Sequence, residues 1–193
     1  MKNTIINLTA VAFIALISVA FTSTLEGKKI IKTEKSIVTW KGYKVTGSHQ
    51  GTINIKQGSL TFKNNKLVNG AFLIDMTSLG NTDLSDANYR GKLEGHLKSD
   101  DFFGVAKHPT ATLLFTNVKS TGKNAYKITG DLTIKGRTHA ISFALSVYGN
   151  KANASLKIDR TKYDVRYGST SFFDGLKDKA IYDEFDLIVD LEF

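Results

Sequence analysis

The sequence predicts an all-β fold: an antiparallel β-barrel of about eight strands, with a short helical segment near residues 86–103. Three observations carry this. Apolar and polar residues alternate with period two along most of the chain, the signature of strands buried on one face and wet on the other. Glycine and asparagine punctuate the alternation at Gly58, Asn64-Asn65, Gly80-Asn81, Gly122, Gly136 and Gly149-Asn150, at spacings that suit successive hairpins. The pattern shifts to a helical period in one place only, just before Pro109, the single proline.

Taken in order, residues 4–21 are almost all apolar, with Lys2 the only charge before them. This is the pattern of a secretory signal, and Ser18-Val19-Ala20 offers small residues for cleavage. The expected division is a signal peptide over 1–20 and a barrel domain over 28–193, placed in the periplasm or secreted. An uncleaved N-terminal anchor is the competing reading, since the run approaches a spanning length. The chain has no cysteine, which excludes a disulfide framework, thiol catalysis and an acyl anchor on cysteine. Roughly 170 remaining residues suffice for one domain held by its core alone.

Earlier strands read around Trp40, Leu60-Phe62, Phe72-Ile74-Met76 and Leu113-Phe115. Between the first two lies Thr46–Gly51, read as a polar turn carrying His49. Later strands alternate more cleanly. Tyr126, Ile128, Gly130, Leu132 and Ile134 fall on one face, and Ile141, Phe143, Leu145 and Val147 repeat the pattern. Ala152, Ala154, Leu156 and Ile158 follow, then Phe185, Leu187, Val189, Leu191 and Phe193. A sandwich and a barrel both satisfy such strands; closure removes exposed edges and favours the barrel. Gly130, Ala152 and Ala154 at inward positions either make room for a cavity or relieve crowding in a tapering tube.

The helical segment starts after Ser85 or Asp86, whose side chains can cap free backbone N–H groups. Tyr89, Leu93 and Leu97 then share one face, with His96 and Asp100 at its edge. Gly91 and Gly95, four apart, suit a close backbone approach. Phe102 and Phe103 follow as an aromatic wedge that lies against the sheet or closes it.

Gly95-His96-Leu97-Lys98-Ser99-Asp100-Asp101-Phe102-Phe103, then Pro109, then Gly130-Asp131-Leu132-Thr133-Ile134-Lys135-Gly136, resembles the YceI-like family of periplasmic, lipid-binding, lipocalin-like barrels. The resemblance runs from near Ser36 to Phe193. Gly104 departs from the acidic residue usual after the paired Phe, and His108 from the aromatic usual before the proline. The resemblance implies a lipocalin-like barrel that carries, stores or sequesters an isoprenoid quinone or polyprenyl lipid, with no cofactor beyond that lipid.

The ligand tail is then expected along Trp40, Phe72, Ile74, Phe102, Phe103, Phe115, Ile128, Leu132, Phe143 and Leu145. The head group is expected near His49, His96, Asp100 or Arg160. The four histidines do not form a zinc signature, so no metal and no catalytic residue is assigned. An enzyme using His96 as acid or base, and a filled barrel acting as an interaction module, are the alternatives. Residues 160–175 break the alternation and mix aromatics with arginines, as a cover or lid over one barrel end would. There are 26 Lys+Arg against 18 Asp+Glu, a balance compatible with anionic membranes. No basic helix or aromatic-interleaved basic motif points to nucleic acid. A homodimer is left open.

Overall fold

In the computed structural model, which describes residues 26–193, eight strands close into an antiparallel barrel. The order around the ring is β3(Gly47–Lys63), β2(Ile37–Lys44), β9(Glu184–Glu192), β8(Lys151–Asp159), β7(Arg137–Tyr148), β6(Ala125–Ile134), β5(Thr110–Ser120) and β4(Lys66–Asn81), which returns to β3. A ninth strand, β1(Glu26–Ile30), adds to the lower half of β3. The signal peptide expected over 1–20 lies outside the described residues.

The alternation has the expected outcome. Tyr126, Ile128, Gly130, Leu132 and Ile134 are buried, as are Ala152, Ala154, Leu156 and Ile158. Every ring neighbour but one is also a sequence neighbour. The exception is the seam where β2 meets β9, from Ile37↔Asp190 to Lys41↔Asp186.

Two departures from plain alternation shape the tube. Between Thr52↔Gly80 and Asn54↔Asp75 the β3–β4 register slips, and β4 residues 76–79 swing outside the ladder. The Ser78 hydroxyl accepts the freed Asn54 N–H at 2.8 Å. Gly51 permits the close crossing there, because a Cβ would overlap the Gly80 carbonyl. The neighbouring strand, β5, bulges between Phe115 and Asn117. Gly130 faces that bulge, and a Cβ on it would lie 2.9 Å from the Leu114 oxygen. Gly130 thus serves strand approach rather than cavity space.

The helix α1 spans Ala87–Lys98, shorter than the expected 86–103, because Phe102, Phe103 and Gly104 return their N–H groups to Ser99 and Leu97 carbonyls in successive turns. Asp86 caps it by accepting from the N–H groups of Asn88 and Tyr89, which a first turn otherwise leaves unpaired. Gly91 and Gly95 meet nothing within 4 Å of an added Cβ, so they permit no close approach. The helix docks on β4, where Glu94 accepts the Asn81 N–H at 2.8 Å.

The seam carries a test of its own. The Tyr43 hydroxyl donates to Asp186 Oδ2 at 2.6 Å. That bond, with Lys157 nearby, holds the Asp186 carboxyl below the usual carboxylate range despite some burial. A depressed folded pKa means the stabilisation is present above the unfolded value of 3.8 and is lost as pH falls through the lower folded value. Asp186→Asn should therefore cost about 1 kcal/mol at neutral pH, with the gap from the parent closing below pH 3.8. Urea denaturation across pH checks it; a gap constant with pH would show that the carboxylate charge contributes nothing.

An apolar barrel cavity with one buried imidazole nitrogen

The inward faces of the strands and the buried side of α1 enclose a cavity of about 350 Å³, at the low end of the range for small-ligand pockets. Its walls are Trp40, Phe72, Ile74, Phe115, Leu132, Phe143 and Leu145 from the strands, and Leu93, His96 and Leu97 from α1. Phe115 is central: its ring stands 5.8 Å from Phe72 and 5.9 Å from Phe143. Below the cavity the tube is packed solid. Leu60 and Ile128 are fully buried, and Leu67, Tyr126 and Ala152 nearly so. None of these floor residues touches the open space. The cavity therefore opens toward one end only, where α1, the β2–β3 hairpin and residues 160–183 gather.

Twelve of the fourteen residues singled out from the sequence line this space, and the other two are corrected. Ile128 lies one inward position below Leu132 and belongs to the floor. Asp100 projects to solvent and pairs with Lys107 at 2.6 Å, because the helix ends at Lys98 before it can share a face with His96. Tyr89, expected on the buried face, is 65% exposed, beyond the point where α1 crosses the mouth.

The polar groups at the mouth differ sharply in what they have left to offer. Arg160 lines the cavity but is almost wholly buried. Its Nε donates to the Tyr182 carbonyl at 3.0 Å and its two terminal nitrogens to Val165 at 2.7 Å and Ile181 at 3.0 Å. Asp183 lies 3.7 Å away, and the guanidinium covers the Phe102 ring. Arg160 is thus a clip for the segment 160–183, not a free cation facing an anionic head group.

His49 sits on β3 rather than in a turn, since β3 starts at Gly47. Its Nδ1 is 3.1 Å from Asp83 Oδ2. Burial raises the Asp83 pKa, but hydrogen bonds from Asn81 and His49 outweigh it and hold that carboxyl below its usual range.

His96 is different. Its ring lies edge-on to Tyr167 at 4.4 Å and near Phe102 at 5.7 Å. Its Nε2 is buried and has no partner among the described residues, although buried polar atoms are nearly always bonded. No group of three or more metal-ligating side chains occurs among the described residues.

Phe185, Leu187, Val189, Met76 and Leu79 also line the cavity. The β9 residues were visible in the C-terminal alternation. Met76 and Leu79 were not both legible as inward, because an odd spacing of three positions puts them on opposite strand faces and only the β4 excursion turns both inside.

Together these features define a lipocalin-like barrel with a single-mouthed apolar pocket. The chain belongs to the YceI-like family, whose domain model matches residues 29–193. A UPF0312 protein of Azotobacter vinelandii is 44% identical over 64 residues, a stretch covering 33% of each chain. One of Pectobacterium carotovorum is 29% identical over 153 residues, covering 77% of this chain and 74% of its own. Among solved structures, BcnA of Burkholderia cenocepacia superposes with a TM-score of 0.66 at 23% identity, over 83% of this chain and 98% of its own. A polyisoprenoid binding domain from Saccharophagus degradans, implicated in plant cell wall breakdown, gives 0.57 at 14% identity, over 87% and 97%. At these identities the structural likeness shows the fold.

Proposed function

We propose that this protein is an exported lipid-binding protein that holds one long apolar ligand, an isoprenoid or similar chain, tail inward and head group at the mouth. The observation that carries this is the orphaned Nε2 of His96 set in an otherwise apolar wall. An isolated buried nitrogen costs free energy, and a ligand carbonyl, amide or hydroxyl would repay it. Arg160 is committed to three backbone carbonyls, and the other Lys or Arg lining the cavity is Lys44, an exposed side chain at the rim. The buried His96 nitrogen matches a neutral head such as a quinone, while a polyprenyl phosphate would have to seat at the rim beside Lys44.

Carriage, storage or sequestration fits this geometry better than catalysis. His96 is flanked by aromatic rings rather than by a carboxylate that would orient it and raise its basicity as a general base. Export rests on the apolar run 4–21.

The test is titration of the purified protein with a fluorescent isoprenoid carrying a neutral head, beside mass spectrometry of its organic extract. His96→Leu should weaken binding three- to tenfold, about the net worth of one hydrogen bond. His96→Gln, whose amide nitrogen reaches a similar point, should bind like the parent. Equal binding by all three would remove His96 from the site, and an apolar extract free of lipid would remove the reading itself.

A further inference from the structure

The barrel's charge is not spread evenly between its two ends. The closed end is built from residues 26–35, 63–66, 119–127, 148–151 and 190–193, which hold ten lysines and four acidic residues, a net of +6. The mouth end is built from residues 41–50, 81–109, 134–138 and 159–186. These hold thirteen Lys+Arg and twelve Asp+Glu, a net of +1. Six of the chain's eight net positive charges thus sit opposite the ligand's entrance.

The closed-end lysines are also largely unneutralised. Glu192 takes Lys32 at 3.1 Å and Lys35 at 3.8 Å. Lys63 and Lys66 flank the β3–β4 turn, Lys119 and Lys123 the β5–β6 turn, and Lys151 the β7–β8 turn. All five are exposed, and none has a carboxylate within 4.0 Å among the described residues. Exposed Tyr148, Val68 and Ile30 stand among them.

We infer that this closed end docks on an anionic lipid bilayer, leaving the cavity mouth pointing away from the membrane. Charge complementarity is one argument: clustered lysines next to an acidic surface each add attraction over about a Debye length. The interleaved tyrosine and aliphatic side chains suit the headgroup boundary, where a soluble polyanion would use only the charges. The chain path is the second argument. The apolar run 4–21 leads into β1, and β1 begins at this same end, with Glu26 opposite Lys63. Retained as an anchor, that run would bring this face to the membrane first.

Residues 26–193 contain every strand among the described residues and the core they enclose, so this span is tested, with circular dichroism confirming its fold. Its binding to mixed phosphatidylglycerol–phosphatidylcholine vesicles is measured by co-flotation against pure phosphatidylcholine. Binding should favour the mixed vesicles at least tenfold at about 0.1 M salt and vanish near 1 M. Replacing Lys63, Lys66, Lys119 and Lys123 together with Gln should abolish that preference. Replacing Lys44, Lys92, Lys177 and Lys179 together at the mouth should leave it unchanged. Equal binding to both vesicle types, or equal loss in both quadruple variants, overturns the inference. Retention on a DNA column without vesicle binding overturns it too, and assigns the face to a soluble polyanion.

Discussion

Replacing Arg160 with methionine should cost about 3 kcal/mol or more of folding stability, a drop in melting temperature of roughly 6–12 °C for a chain of this size. Arg160 begins a short 3-10 turn after β8 and ties Val165, Ile181 and Tyr182 into one knot through their carbonyls. Burial pulls its pKa below the usual arginine value, while Asp183 and Asp159 pull it back up; it stays charged. Removing it leaves three inward carbonyls without their donor and the Asp183 carboxylate without its ion-pair partner at 3.7 Å, and an unpaired buried acceptor costs more than a bond gains. Arg160→Lys should rescue little, because one ammonium cannot span three carbonyls held by a planar fork. Thermal unfolding followed by circular dichroism measures both. A methionine variant within 1 °C of the parent would mean that Arg160 does not hold the segment.

Ala154→Phe should abolish ligand binding while leaving the barrel folded. Ala154 lies on β8 between Leu145 and Val189, and its methyl faces the cavity. A phenyl ring placed there fills open space, so the overpacking that usually costs 1–3 kcal/mol is largely avoided. It displaces ligand instead. Denying a tail roughly 100 Å² of apolar contact at about 25 cal/mol per Å² costs about 2.5 kcal/mol, well over tenfold in affinity. Ala152→Phe is the contrasting variant. Two residues along the same strand face, Ala152 sits in the packed floor at 2% exposure, and a ring there should destabilise the fold. Fluorescent-isoprenoid titration with matched unfolding curves separates the two. If folded Ala154→Phe binds like the parent, the tail does not lie in the barrel.

The contrast between those two alanines shows how far the sequence could be read. Alternation put both on the inner face, correctly, because side-chain direction in a strand is a local property. It could not say which faced space and which faced packing. That depends on the level each strand reaches around the ring, which is set by register between distant segments. Ile128 was misjudged for the same reason: its inward direction was legible but its depth was not. The helix was legible from its cap and its period, but its end was not. The turns after Lys98 depend on carbonyls at Leu97 and Ser99 that give no compositional signal, and so Asp100 was carried one turn too far. Arg160 was correctly placed at the rim, but its engagement by carbonyls from 165, 181 and 182 is a long-range fact. The orphaned nitrogen of His96 is likewise visible only once its neighbours are in place.

The β2–β9 seam joins residues about 150 positions apart, whereas every other ring contact forms between neighbours in the chain. Six of the eight junctions can therefore form as the chain emerges, five of them as hairpins, at low loop-closure cost. The two that involve β9, with β8 and with β2, wait for that strand. Until Phe185–Leu191 is delivered, the protein is an open curled sheet with β2 as one bare edge and its oily inner face uncovered. Arrival of β9 is the timing event for closure: a chain stalled at residue 183 has its hairpins and no barrel. Such a form would present the open edge on which strands of other chains pair, and shielding that intermediate is the task a holding chaperone would meet.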